Sequence, residues 1–178
     1  MSPSTETRSS WLSKEELETH RARMPIVYVE AVPVRVDTNG TVTHIGTLLA
    51  MQPDGTISRA VVSGRVLYGE LVRDALVRHL EKDLGPVALP HIPSSPAPFT
   101  VVEYFPDPAI TGFHDPRQHA VSLAFVVPVA GDCRPSQDAL DLAWLTPEEA
   151  VSEHVRAEMT GGHDRLLRLA LSHVGVLP

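Results

Sequence analysis

The chain has 178 residues, 43% hydrophobic and 21% charged, with a net charge of −7, which suits one globular domain with a sizeable core. Its basic residues are scattered along an acidic chain, which argues against a nucleic-acid polymer as partner, because that binding rests on a cationic face neutralising phosphates. One cysteine, Cys133, leaves no intramolecular disulfide and no Cys-rich zinc site, and no apolar run reaches the ~18 residues of a membrane helix.

Residues 1–12 read as a polar, disordered tail. They lack the basic and then apolar pattern of a signal peptide, so a cytoplasmic location is expected. Ser13 and Glu16 form a capping-box pattern, which predicts a helix over 13–23 that stops before Pro25. It reads as a packing or dimer-contact helix. The run from Ile26 to Val36 is rich in β-branched residues and predicts a strand. Pro33 within it predicts an edge or a bulge. Asn39-Gly40 and Asp54-Gly55 predict turns around a second strand ending at Met51, and a third strand follows from Ile57 to Val62.

The stretch 63–86 is SGRVLYGELVRDALVRHLEKDLGP. Gly64 and Gly69 bracket a loop, Glu70 opens a helix, and Gly85-Pro86 stops it. Val72, Ala75, Leu76, Leu80 and Leu84 recur at helical spacing and form one apolar stripe. The proline-rich segment 86–98 predicts an extended connector. Phe99 to Phe105 predicts a strand, and 107–117 a loop holding His114, Asp115 and Arg117. Gln118 to Val129 predicts a long central strand. A polar loop spans 130–137, a short strand Leu140 to Leu145, and helices 147–174, broken at Gly161-Gly162.

Gly64, five residues, Glu70, seven residues, Arg78, then Gly85 resembles the Nudix box. With the flanking strands and the segment from Trp144 to Glu149, the resemblance extends over roughly residues 25 to 155. It implies an α+β fold, a Nudix-like α/β/α sandwich around a mixed sheet, with 13–178 as a single domain. It also implies a hydrolase of a nucleoside-diphosphate-linked or related small phosphorylated molecule, a divalent metal (magnesium or manganese), and a homodimer. The box is degenerate: His79, Lys82 and Asp83 stand where the family has three glutamates.

By that resemblance the metal ligands are His79, Asp83 and Glu70, and the catalytic set is Glu70, His79, Asp83 and His119. Residues 79 and 83 lie one helical turn apart and can converge. An imidazole beside a carboxylate suits manganese, iron or zinc better than magnesium. The alternative is a plain structural pair. Glu70 and Arg78 brace the loop as an ion pair, with Gly64, Gly69 and Gly85 as its structural glycines. Arg59, Arg65, Tyr68, Lys82, His114 and Arg117 are the candidate substrate contacts, set against ordinary surface or structural roles. Two further functions compete with hydrolysis: a catalytically inactive Nudix-fold ligand-binding or regulatory module, and a scaffold acting through dimer contacts.

Overall fold

The computed structural model describes residues 11–135 and 141–178. Most of the expected tail, the end of the polar loop and Leu140 lie outside them. Among the described residues a seven-stranded mixed sheet carries helices on both faces. The strands are β1 Ile26–Val36, β2 Val42–Met51, β3 Ile57–Ala60, β4 Val62–Arg65, β5 Thr100–Tyr104, β6 Ala120–Pro128 and β7 Asp141–Leu145. The helices are α1 Lys14–Arg21, α2 Val72–Leu84, α3 Pro147–Ala150, α4 Glu153–Glu158 and α5 His163–His173. None is long and apolar enough to cross a membrane.

The sheet runs β3-β2-β1-β6-β5, with β4 also paired to β1 and β7 to β2. β1 and β6 are parallel over Ile26–Val34, and the other pairs are antiparallel. β1 is therefore the sheet's centre, not an edge. Pro33 is tolerated there because β4 pairs with residues 28–31 and β2 begins pairing at Val34. The proline falls in the gap between the two partners, where a missing N–H breaks no ladder. The register shift lies between Arg35 and Val36, not at the proline.

Four other boundaries differ from expectation. The run expected as one strand to Val62 splits at Val61, because β3 pairs with β2 whereas β4 crosses to β1. α1 ends at Arg21, capped at Ala22, and buries none of its residues. α2 starts at Val72, with Leu71 at the N-cap and Glu70 left in the loop. Before Gly161 there are two short helices, because Ser152 caps a second start with its hydroxyl on the Val155 N–H.

Successive residues of a strand face opposite ways, so the sheet builds two cores. Val29, Ala31 and Val62 face α2 and its stripe of Ala75, Leu76, Leu80 and Leu84. Val32 and Val34 face α5, whose Leu166, Leu167, Ala170 and Leu171 are buried. Burying such side chains stabilises by about 1.5–3 kcal/mol each before entropy is counted.

Candidate active site

The loop between β4 and α2 is tied by one carboxylate. Arg78 Nε donates to Glu70 Oε1 at 2.7 Å and its Nη2 to Oε2 at 2.8 Å, while Oε2 also accepts the Leu67 N–H at 2.9 Å. The Arg78 hydrogen bond holds the Glu70 carboxyl below the usual carboxylate range. Arg78 Nη2 also donates to the Arg65 carbonyl at 2.9 Å. Eight residues apart, the two ends of this pair lie across the loop from one another.

His79 is 7% exposed and sits on the stripe facing the sheet. Its Nε2 donates to the Arg65 carbonyl at 2.9 Å, which fixes the proton on that nitrogen. Nδ1 is buried with no hydrogen-bond partner among the described residues. Burial lowers the imidazole's pKa, so the ring is neutral. Gly64 makes room for it: a Cβ there would lie 1.8 Å from His79 Cε1. Asp83, one turn on, is 7% exposed, and the Lys82 ammonium stands 3.6 Å from its carboxylate.

These donors do not fit the divalent metal that the resemblance implies. Both Glu70 oxygens are taken, by Arg78 of α2 and the Leu67 N–H, His79 spends one nitrogen on a carbonyl, and an ammonium borders Asp83. Among the described residues no three His, Cys, Asp or Glu side chains converge as a metal site would require. In this structure Glu70 and His79 fasten β4 and the loop to the helix.

The other candidates scatter. Arg59 is mostly buried in an ion pair with Glu158 and donates to Thr47 Oγ1 at 3.1 Å, fastening β3 to α4. The Arg65 and Arg78 guanidinium groups lie 6.0 and 5.4 Å from the Trp11 ring centre. Tyr68 is 90% exposed at the loop tip. His119 stacks on Phe105 at 4.3 Å, with its Nε2 3.6 Å from the Glu103 carboxylate. At Gly85, φ is 87° and a Cβ would meet the Arg134 carbonyl at 2.7 Å, so only glycine closes α2 there.

His114 and Arg117 do reach a cavity. A cleft of about 270 Å³ opens on the α5 face of the sheet, floored by Tyr28, Glu30, Tyr104 and Ser122, with His163 at its side. Tyr104 Oη donates to Glu30 Oε1 at 2.8 Å, and His163 Nε2 donates to the same oxygen at 3.1 Å. Burial, then the Glu30 charge, push the Tyr104 phenol upward, so it stays protonated. Glu30 is 2% exposed, and its Oε2 has no partner among the described residues.

At the mouth, Arg117 Nε and Nη2 both bond Asp115, at 3.0 and 2.9 Å. Burial works to raise the Asp115 pKa, but the Arg117 bonds outweigh it and hold the carboxyl low. Gln118 joins the two levels, donating to Asp115 Oδ2 at 2.9 Å and to the Tyr28 hydroxyl at 3.0 Å. Arg21 of α1 donates to Gln118 Oε1 at 2.8 Å, so the N-terminal helix braces this wall. Ser63 lines the cleft while its neighbour Gly64 packs on His79. Cleft and box therefore lie on opposite faces of the sheet and meet at β4.

Sequence reasoning missed Glu30, Tyr28, Tyr104, Gln118, Ser122 and His163. One signal was present: Glu30 is a lone acid on the face that Tyr28, Val32 and Val34 share, and a buried unpaired carboxylate is costly enough to mark a site.

The family model "Domain of unknown function (DUF4916)" matches residues 7–176. No curated protein matches the chain. A solved structure from Jonesia denitrificans, described as a possible asymmetric diadenosine tetraphosphate (Ap4A) hydrolase, is 63% identical with a TM-score of 0.85. That match covers 88% of this chain and 98% of the other. The NUDIX domain of Shewanella oneidensis NrtR, solved with ADP ribose, is 13% identical at TM-score 0.61, covering 92% and 99%. A bifunctional NMN adenylyltransferase/ADP ribose pyrophosphatase from Francisella tularensis, solved with AMP and manganese, is 15% identical at TM-score 0.56, covering 85% of this chain and 42% of that one. The last two share the fold.

Proposed function

We propose that the chain, which belongs to the DUF4916 family and to the Nudix hydrolase superfamily, hydrolyses a diphosphate linkage in a nucleotide-type small molecule. The observation that carries this is the junction at β4. Ser63 lines the cleft, and the next two residues of β4, Gly64 and Arg65, lead directly into the box loop. An occupant of the cleft that extends past Ser63 reaches the box loop. The description of the 63% identical relative as a possible Ap4A hydrolase supports the same class.

In this reading the organic part of the substrate occupies the cleft, and its phosphates lie at the mouth. Arg117, held in place by Asp115, meets the phosphate charge, with His114 beside it. A fixed cation placed where phosphate charge grows lowers the barrier to hydrolysis. The Glu70–Arg78 pair and His79 keep the loop rigid beneath the substrate. Magnesium or manganese is an assay variable here, because among the described residues no three His, Cys, Asp or Glu side chains converge around His79 and Asp83. The homodimer that the resemblance implies is kept as part of this proposal, to be measured by light scattering.

A second reading is favoured by the same residues. His79 and Lys82 in place of two carboxylates suit a module that binds a phosphorylated ligand without cleaving it. Product release from a panel of nucleoside-diphosphate-linked compounds, with magnesium, with manganese and with neither, separates the two. Turnover supports the hydrolase. Binding with no turnover under any condition supports the module.

A further inference from the structure

We propose that Glu30 reads an amino group: the cleft takes a nucleotide base-first, and its floor favours nucleobases carrying an exocyclic NH2 over those that lack it. This rests on the reading above that the occupant is a nucleotide, and it adds which end enters and what is selected.

Glu30 Oε1 is already saturated by the Tyr104 hydroxyl at 2.8 Å and His163 Nε2 at 3.1 Å. Oε2 is an acceptor with no partner among the described residues, on a side chain only 2% exposed. The Ser122 hydroxyl, fully buried on the neighbouring strand, has none either. Leaving such atoms unmade is costly, and a ligand N–H removes that cost. The floor thus asks for a donor.

Charge sets the direction of entry. A phosphate at the floor would meet the Glu30 carboxylate, whereas at the mouth it meets the more exposed Arg117 side of the Arg117–Asp115 ion pair, with His114 beside it. The uncharged end must therefore point inward. The tyrosine rings of Tyr28 and Tyr104, with Ala120, wall the floor, which suits a flat heterocycle better than a sugar. At about 270 Å³ the cleft holds one base and part of its ribose, so a dinucleotide would leave its second half outside.

The test is calorimetric binding to the full chain without metal, using two matched pairs of 5′-monophosphates. AMP against purine riboside monophosphate removes only the amine. CMP against UMP replaces the amine with a carbonyl that faces the carboxylate. The inference expects each amino-bearing member to bind at least tenfold more tightly, because a site built for a donor rejects its absence. Glu30→Gln, which puts an amide NH2 in reach of the ligand, should bring both pairs within threefold. Equal affinities within both wild-type pairs overturn the inference and leave the nucleotide reading standing. No binding by any of the four overturns that reading and the inference together. Discrimination that survives Glu30→Gln removes Glu30 from the role. If that variant does not fold, the wild-type pairs decide.

Discussion

The His79 ring occupies the space that a side chain on Gly64 would need: a Cβ there would come within 1.8 Å of Cε1 and 2.2 Å of Nε2. Gly64→Ala must therefore push the ring off the Arg65 carbonyl or shift β4. Overpacking of this kind costs about 1–3 kcal/mol, which for a chain of this size is a Tm loss of roughly 2–12 °C. His79→Ala added to Gly64→Ala should recover part of that loss. A double variant no more stable than Gly64→Ala alone would contradict the packing account.

His79 also sets a pH dependence. Its folded pKa lies below the ordinary 6.5 because the ring is buried. Between 6.5 and the lower folded value, the unfolded chain binds a proton that the folded chain refuses. Stability therefore falls as pH drops below about 6.5 and is regained above it. Urea midpoints at pH 7.5, 6.5 and 5.5 should decline more steeply for the wild type than for His79→Gln. Identical slopes would contradict a neutral buried imidazole.

Arg59 tests the difference between a phosphate contact and a strut. Its partner Glu158 is on α4, and both side chains are mostly buried. Arg59→Ala leaves that carboxylate without its guanidinium partner and should destabilise by about 3–5 kcal/mol. Arg59→Ala/Glu158→Ala should be milder. KM should stay within twofold of wild type. A tenfold rise in KM with unchanged Tm would restore the expected substrate role.

Arg117 should behave in the opposite way. Its side chain is 61% exposed at the cleft mouth, so Arg117→Ala should lower Tm less than Arg59→Ala does, by the loss of its bonds to the Asp115 carboxylate alone. The same change should weaken nucleotide binding roughly tenfold, as loss of a charge-assisted contact does. Tyr68→Ala, at a side chain 90% exposed, should change neither by a measurable amount. Equal effects from the two variants would displace the phosphates from the cleft mouth.

Much of the architecture was readable because its causes are local. The β-branched runs, the Asn39-Gly40 turn and the apolar spacing of α2 each specify their own element. The same stripe places His79 and Asp83 inward, His79 three residues beyond Leu76 and Asp83 three beyond Leu80. What was illegible is what depends on distant partners. Pro33 is harmless because β4 stops short of it and β2 starts just after it, which nothing near Pro33 records. The cleft floor joins Glu30 to Tyr104 and His163, 74 and 133 residues away. Glu70 and His79 matched the box by spacing, yet spacing does not say whether a side chain turns toward a metal or toward the loop's own backbone.

The central claim is that a nucleotide seated in the Arg117 cleft is cleaved at its diphosphate. The direct measurement is product release by the full chain from ADP-ribose and diadenosine polyphosphates, with and without magnesium or manganese, for wild type and Arg117→Ala. The account predicts wild-type turnover of at least one compound and a tenfold or greater fall in kcat/KM for the variant. Tight binding of these compounds with no product from any of them, or turnover indifferent to Arg117, would contradict it.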